Sequence, residues 1–258
     1  MAEEVMHHLK MSKGQIGKYV ILPGDPGRVE KIAQYLDNPY YVMTNREYTT
    51  WNGTIEGETV TVMSTGMGGP STAIAIEELK KLGAEVLIRV GTAGGIDPEV
   101  VPGTLIIPTG AIRKEGTTRE YAPIEYPAVP DYSLVRELEE AAGRLGYPTK
   151  LGVSESKDSF YGQHSPESMP VAYELLDKWE AWKQCGAVAS EMESAALFIV
   201  AGIRRMKSAA IMLLCRNIER EKKYNLYDSE WDTSHAIETA VEAIRSIILK
   251  EKNSNQKK

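Results

Sequence analysis

The sequence predicts an α/β fold with a mostly parallel or mixed sheet, folded as one domain. Three observations lead there. Short β-rich runs alternate with amphipathic helical segments along the chain. A chain of 258 residues can bury most of its apolar surface in one core without splitting. No internal repeat, low-complexity tract or linker interrupts the pattern, so residues 1–258 are expected to form a single domain, with about 251–258 (EKNSNQKK) a frayed, disordered tail.

The first strand is expected at Tyr19–Pro23, followed by a helix over 28–36. Residues 46–65 read as a meander: Tyr48-Thr-Thr-Trp and Glu58-Thr-Val-Thr-Val-Met are strand-like, while the pairs Asn52-Gly53 and Glu56-Gly57 are turn-like. A helix over 70–82 stops at Gly83, and one over 134–145 stops at Gly146. Further helices are expected over 171–184, 193–206 and 235–250, and further strands over 86–90, 105–108, 187–189 and 209–214.

Composition narrows the function classes. Apolar residues make up 42%, charged residues 26%, and the formal net charge is −6, so bulk basicity cannot hold a nucleic acid and any bound anion must be held locally. The two cysteines, Cys185 and Cys215, lie in apolar stretches and supply neither a disulfide framework nor a cysteine zinc site, which predicts a cytoplasmic protein. The start MAEEVMHHLKMSKG lacks a signal-peptide core, and no apolar run approaches the roughly 18 residues of a membrane span.

Glycine clusters mark the candidate site. Gly66-x-Gly68-x-x-Ser71 has the start of a dinucleotide fingerprint, but it follows a meander and ends in serine; the alternative is a tight strand-to-helix turn. Leu22-Pro-Gly-Asp-Pro-Gly-Arg28 and Ile88-Arg-Val-Gly-Thr-Ala-Gly-Gly95 each end a strand with glycine beside arginine. Three strand ends could converge on one anion, with glycine N–H groups approaching it, Arg28 and Arg89 donating forked hydrogen bonds and Thr92 a hydroxyl. Arg28 could equally form helix-surface ion pairs, whereas Arg89, inside an apolar run, needs a buried partner in any case. Glu191-Met-Glu-Ser194 brings two carboxylates to a strand–helix junction. Glu193 could accept from sugar hydroxyls with Met192 against the sugar face, or both carboxylates could complement a helix dipole.

Together these residues resemble the nucleoside phosphorylase-I family, most closely its uridine phosphorylases, over nearly the whole chain. The motifs are Gly66-Met-Gly-Gly-Pro-Ser-Thr-Ala-Ile with Glu78-Leu79, Pro23-Gly-Asp-Pro, Asn45-Arg-Glu-Tyr-Thr-Thr-Trp, Arg89-Val-Gly-Thr, Glu125-Tyr-Pro-Ala-Val and Glu191-Met-Glu-Ser. The resemblance implies a central mixed sheet partly closed into a barrel, surrounded by helices, and a homohexamer, a trimer of dimers, whose active sites are shared across the dimer interface. It implies phosphate among Gly24, Arg28, Arg89, Gly91 and Thr92, with Arg46 reaching in from the neighbouring subunit. It implies ribose at Glu191, Met192 and Glu193, with the neighbour's His8 at the 5′-hydroxyl. A potassium ion at the dimer interface is implied at Glu47, the Met67 carbonyl and Ser71; no other cofactor is required.

For the base, Phe160-Tyr-Gly-Gln163 resembles the uridine phosphorylase loop, and Arg216 stands near where purine enzymes of the family carry a catalytic aspartate. Uridine phosphorylases commonly have an arginine two residues after the glutamine. Here Gln163 is followed by His164 and Ser165, and the loop is one residue shorter. His164 or Lys157 could supply the missing donor, the alternative being that both are solvated loop residues.

The implied reaction is reversible phosphorolysis of uridine to uracil and ribose 1-phosphate through an oxocarbenium-like transition state. The arginines would hold phosphate beneath C1′, and Gln163 and Arg216 would stabilise the leaving base. The rival readings are a purine or broader-specificity nucleoside phosphorylase, a nucleosidase using water, and a catalytically silent nucleoside-binding protein.

Overall fold

The computed structural model of the chain describes residues 4–255. Nine strands form one mixed sheet: β1 Tyr19–Pro23, β2 Asp37–Asn45, β3 Tyr48–Ile55, β4 Glu58–Met63, β5 Val86–Gly95, β6 Leu105–Lys114, β7 Thr149–Lys157, β8 Ala189–Glu191 and β9 Lys207–Arg216. The α-helices among the described residues are α1 Val29–Ala33, α2 Gly69–Leu82, α3 Tyr132–Leu145, α4 Phe160–His164, α5 Ala172–Gln184, α6 Ser194–Ile203, α7 Ile218–Tyr224 and α8 Ser234–Asn255.

The strand order is β2-β3-β4-β1-β5-β8-β7-β6-β9, and β9 returns to pair with β5. That pairing is parallel and long, from Val86↔Lys207 to Gly94↔Arg216. It closes β5, β8, β7, β6 and β9 into a ring, with β1 to β4 as an open extension. This is the partly closed barrel that the resemblance implied. Parallel pairs (β1 with β4 and β5, β6 with β7) mix with antiparallel ones (β3 with β2 and β4, β5 with β8).

Helices cover both faces because the strands are apolar on both. Val86, Ile88 and Val90 of β5 and Ala209, Ile211 and Leu213 of β9 join one buried cluster with Leu134 and Leu138 of α3 and Ile244 of α8. Val20, Leu87 and Ala210, from alternate positions, pack with Ile76 and Leu79 of α2 and Leu197 and Phe198 of α6. The glycine stops expected for α2 and α3 are present, Gly83 and Gly146 both lying in the left-handed region. No described helix is long and apolar enough to cross a membrane.

Several expectations are corrected. Asn52-Gly53 is no turn but the middle of β3. A Cβ on Gly53 would lie 2.6 Å from Leu36 Cβ, so glycine is there for close packing, and Asn52 accepts from the Thr61 hydroxyl at 2.7 Å while donating to the Gln15 carbonyl at 2.8 Å. Glu56-Gly57 is the turn. The helix expected over 28–36 is a 3-10 turn, Pro26–Arg28, followed by the short α1. Cys185 is exposed, and only Cys215 is buried. The tail is helical through Asn255, because Glu251 accepts from Lys18 Nζ at 2.6 Å and Tyr19 Oη at 2.7 Å; the rest of it lies outside the described residues.

Candidate active site

The site grows from strand register. Leu22 and Pro23 of β1 pair with Arg89 and Val90 of β5, and Arg89 pairs in turn with Ala210 of β9. The segment after β4 is tied to the same edge, since Thr65 N–H donates to the Pro23 carbonyl at 2.9 Å. A Cβ on Gly24 would lie 3.2 Å from the Gly66 carbonyl oxygen and 3.7 Å from Arg89 Nη1. The three glycine-bearing segments thus meet around one guanidinium.

Arg89 is buried, as the sequence required, and its partners are the two carboxylates of the Glu-Met-Glu segment. Nε lies 3.2 Å from Glu191 Oε2, and Nη2 lies 2.5 Å from Glu193 Oε2. Burial works to lower the Arg89 pKa, but Glu193 and Glu191 outweigh it and hold the guanidinium above its ordinary value. Its Nη1 is buried and has no hydrogen-bond partner among the described residues. Gly91 is needed beside it, because a Cβ there would stand 2.8 Å from Nη2.

The two carboxylates differ in kind. Glu191 accepts from the N–H groups of Glu193 at 2.8 Å and Ser194 at 2.9 Å, and from the Ser156 hydroxyl. Its oxygens receive the first N–H groups of α6 and hold Arg89, as the helix-dipole alternative describes. Glu193 accepts the Gly68 N–H at 2.5 Å as well as Arg89. Burial pushes its carboxyl up, against Arg89 and that N–H. The glycine turn therefore receives a carboxylate of its own chain where a dinucleotide would place its pyrophosphate, and it is the tight-turn alternative that holds. Met192, between the two, is half-buried.

Arg28 stands close by and half-buried, with no carboxylate within ion-pair distance among the described residues. Its pKa is lowered, first by burial and then by Arg89, with Asp25 acting the other way. Cys215, at the end of β9, is pushed up to about 11 by burial, opposed by the charge of Arg28. Arg28 feels the Arg89 charge, and the buried Nη1 of Arg89 is a donor left without an acceptor, which is costly.

The remaining expected residues fall into three places. Within one chain neither Arg46 nor His8 has a side-chain hydrogen bond or ion pair to this cluster among the described residues. Arg46 is exposed on the β2–β3 turn, with φ +54°. The His8 ring sits on Glu78 of α2 at 2.8 Å, and Glu78 also receives the N–H groups of His8 and Leu9, so this histidine is not a loose chain end. Glu47, Met67 and Ser71 surround Gly66: a Cβ there would touch Glu47 Cγ at 2.8 Å and Ser71 Oγ at 3.3 Å, and Ser71 Oγ donates to the Met67 carbonyl at 3.2 Å.

The base loop forms α4. Phe160 is half-exposed and its ring packs on His164 with centroids 4.2 Å apart. His164 is lowered, first by burial and then by the charges of Lys157 and Arg216. Lys157 is buried at 5% exposure, correcting its reading as a solvated loop residue; it ends β7 and donates to Ser190 Oγ at 2.5 Å. Gln163 lies 3.0 Å from the same hydroxyl. Arg216 is half-exposed and gripped by Glu221, Nε to Oε1 at 2.5 Å and Nη2 to Oε2 at 2.8 Å.

Glu155, Ser156 and Ser190 were not singled out from sequence. The signal for the first two was the alternation in β7, which sends Ser154 and Ser156 to one face and Glu155 and Lys157 to the other. A cleft of about 540 Å³ lies elsewhere, lined by residues such as Arg113, Lys114, Tyr126, Val153 and Trp182, and contains none of the site residues.

The chain matches known proteins over most of its length. The model of the family described as Phosphorylase superfamily matches residues 18–249. The chain is 51% identical over 246 residues to the uridine phosphorylase of Treponema pallidum, covering 95% of each chain. It is 36% identical over 253 residues to the uridine phosphorylase of Escherichia coli, covering 96% of this chain and all of that one. It is also similar to the guanosine phosphorylase of Halorubrum lacusprofundi, 37% identical over 211 residues and covering 82% and 83%. With a closed five-stranded ring, converging glycine turns and a match that spans most of its length, this chain belongs to the phosphorylase superfamily.

Proposed function

We propose that the protein is a uridine phosphorylase, a pentosyltransferase that converts uridine and phosphate to uracil and ribose 1-phosphate. The observation that carries the reading is the pairing of Arg28, half-buried without a counter-ion, with Arg89, whose buried Nη1 lacks a partner. Both deficits are met by one phosphate dianion, with Gly24, Gly91 and Thr92 around it. The similarity to the Treponema pallidum and Escherichia coli uridine phosphorylases supports the base assignment.

In this reading phosphate is the nucleophile and attacks C1′ as the glycosidic bond lengthens. The oxocarbenium-like sugar is stabilised by the phosphate below it and by Glu193, which accepts from ribose hydroxyls in exchange for part of its present contacts. The departing base gathers negative charge near Gln163, Lys157, His164 and Arg216. Phosphate use separates this reaction from hydrolysis. Phosphorus NMR of the products tests it: ribose 1-phosphate is expected, and free ribose with unconsumed phosphate contradicts it.

The same reading includes a cytoplasmic homohexamer, a trimer of dimers. Arg46 and His8, neither bonded to the cluster within one chain, suit delivery into a neighbour's site, and the two free cysteines suit a reducing compartment. Mixing Arg28→Ala with Arg46→Ala protomers should then restore activity that neither has alone; no recovery would count against the shared site. A potassium ion fits Glu47, Ser71 and the Met67 carbonyl, because all three are hard oxygen donors around Gly66. It would tie the β2–β3 turn bearing Arg46 to the glycine turn.

A further inference from the structure

The loop between β6 and α3 is held firmly and yet shows apolar side chains to solvent. Arg113 of β6 is buried, and all five of its donors go to this loop: Nε to Thr118 Oγ1 at 3.0 Å, Nη2 to the carbonyls of Thr118 and Ala122, and Nη1 to those of Pro123 and Tyr126. The Ala111 N–H also donates to the Ala128 carbonyl at 2.8 Å. On this fixed frame Ile124, Tyr126 and Val129 are exposed, together with Val153 of β7 and Tyr132, the first residue of α3, at 78% exposure. Apolar side chains grouped on a preorganised surface mark a contact with another macromolecule, because little ordering cost remains when they are covered.

The group borders a groove made of two hollows. The larger, of about 540 Å³, is lined by Arg113, Lys114, Arg119 and Lys178 and by no carboxylate among the described residues. The smaller, of about 150 Å³, is lined by Tyr132, Arg136 and Glu139 of α3. Thr109 lines both. It is the extra residue of a bulge in β6, where Pro108 pairs with Gly152 and Gly110 with Val153. The parallel strands β6 and β7 run from the smaller hollow to the larger, so Lys114 and Glu139 belong to opposite ends with Thr109 between them. The two ends carry opposite, unmatched charge. Lys178 is taken by Glu174, and Arg136 by Glu140 at 3.4 Å. Among the described residues, Lys114, Arg119 and Glu139 have no opposite charge within ion-pair distance.

We propose that this groove is a two-fold contact between two copies of the chain. An axis near Thr109 lays the cationic end of one copy on the acidic end of the other. Each copy's Lys114 and Arg119 then meet the other's Glu139, and the apolar side chains around Val129 and Tyr132 are covered between them. An apolar middle with complementary ends is what a self-complementary surface requires, and it favours a second copy over an unrelated partner. The groove contains neither Arg46 nor His8, so this contact is not the one that would share the active site. Its place in the assembly rests on the homohexamer reading: a trimer of dimers needs two kinds of contact, and this one joins the dimers.

Sedimentation of the full-length protein tests it, with the variants Val129→Arg, Arg119→Glu, Glu139→Lys and the double variant Arg119→Glu with Glu139→Lys. All three positions are exposed, so the fold should be little affected, which circular dichroism checks. The wild type is expected to be a hexamer and Val129→Arg a dimer at the same protein concentration. Each single charge reversal should raise the concentration at which dimers become hexamers by about tenfold or more, and the double reversal should bring it back down. Uridine cleavage per protomer should stay within about twofold throughout, because the shared site lies at the other contact. A hexamer indifferent to all these changes overturns the contact and leaves the assembly standing, as does weakening by both single reversals with no recovery in the double variant for the two-fold pairing. A wild-type dimer that Val129→Arg splits into monomers keeps the contact and overturns the hexamer. A wild-type dimer that Val129→Arg leaves intact, or a wild-type monomer, overturns both.

Discussion

Arg89 and Glu193 form a buried ion pair, Nη2 to Oε2 at 2.5 Å, that joins the two halves of the site. The guanidinium also meets Glu191, and the carboxylate also accepts the Gly68 N–H. The groups expected to hold phosphate and those expected to hold ribose are therefore mechanically one unit. A phosphate bound at Nη1, as proposed, would act on the same side chain that holds Glu193.

Removing that guanidinium should be costly in two ways. Arg89→Met leaves Glu191 and Glu193 buried without their cation, which is expected to destabilise the fold by about 3–5 kcal/mol in urea unfolding. Catalysis should fall by more than about 100-fold, the scale seen when a preorganised charge-stabilising donor is lost. A variant as stable as the wild type would show that the pair is not what holds the carboxylates.

Arg28 should behave in the opposite manner toward stability. It breaks no ion pair when removed, so Arg28→Ala should shift the unfolding free energy by less than about 1 kcal/mol. Its KM for phosphate should rise by about tenfold or more. Phosphate at 100 times its Kd should stabilise the wild type by about 2.7 kcal/mol, and at the same concentration this protection should fall to about 1.4 kcal/mol or less in the variant. Undiminished protection would place the anion elsewhere.

Glu78 gives a pH test of the N-terminal segment. Burial alone would raise its carboxyl, but the Leu9 N–H, the His8 ring and the His8 N–H together hold it below the ordinary value of 4.5. A folded-state pKa below the unfolded one contributes stability above the unfolded value, and loses it as pH falls through the folded value. Glu78→Gln should therefore cost about 2 kcal/mol at neutral pH, and the gap from wild type should close on acidification below the ordinary carboxylate value. A gap that is constant down to strongly acidic pH would exclude the charge as its source.

The alternation of strands and helices was legible because β1, β5 and β9 are apolar on both faces and the glycine stops after α2 and α3 are local signals. β2 was not, since it is an edge strand that carries Pro39 and is largely exposed, so it lacks an apolar face to announce it. Asn52-Gly53 misled because a turn-forming pair there serves close packing against Leu36. Closure of the ring depends on β9 pairing with β5, a contact between segments far apart in sequence, and no periodicity encodes it. In the site, the buried position of Arg89 was readable from the apolar residues around it, but its division between Glu191 and Glu193 was not. Lys157 sits beside polar residues, and its burial emerges only when β7 pairs with β8 through Ser156↔Glu191.

The central claim is that phosphate is a substrate and uridine its partner. Initial rates of uridine cleavage, followed by uracil absorbance with and without phosphate and with inosine in parallel, test it most directly. Uridine turnover that requires phosphate and exceeds inosine turnover is the predicted result. Turnover independent of phosphate, or a preference for inosine, would contradict it.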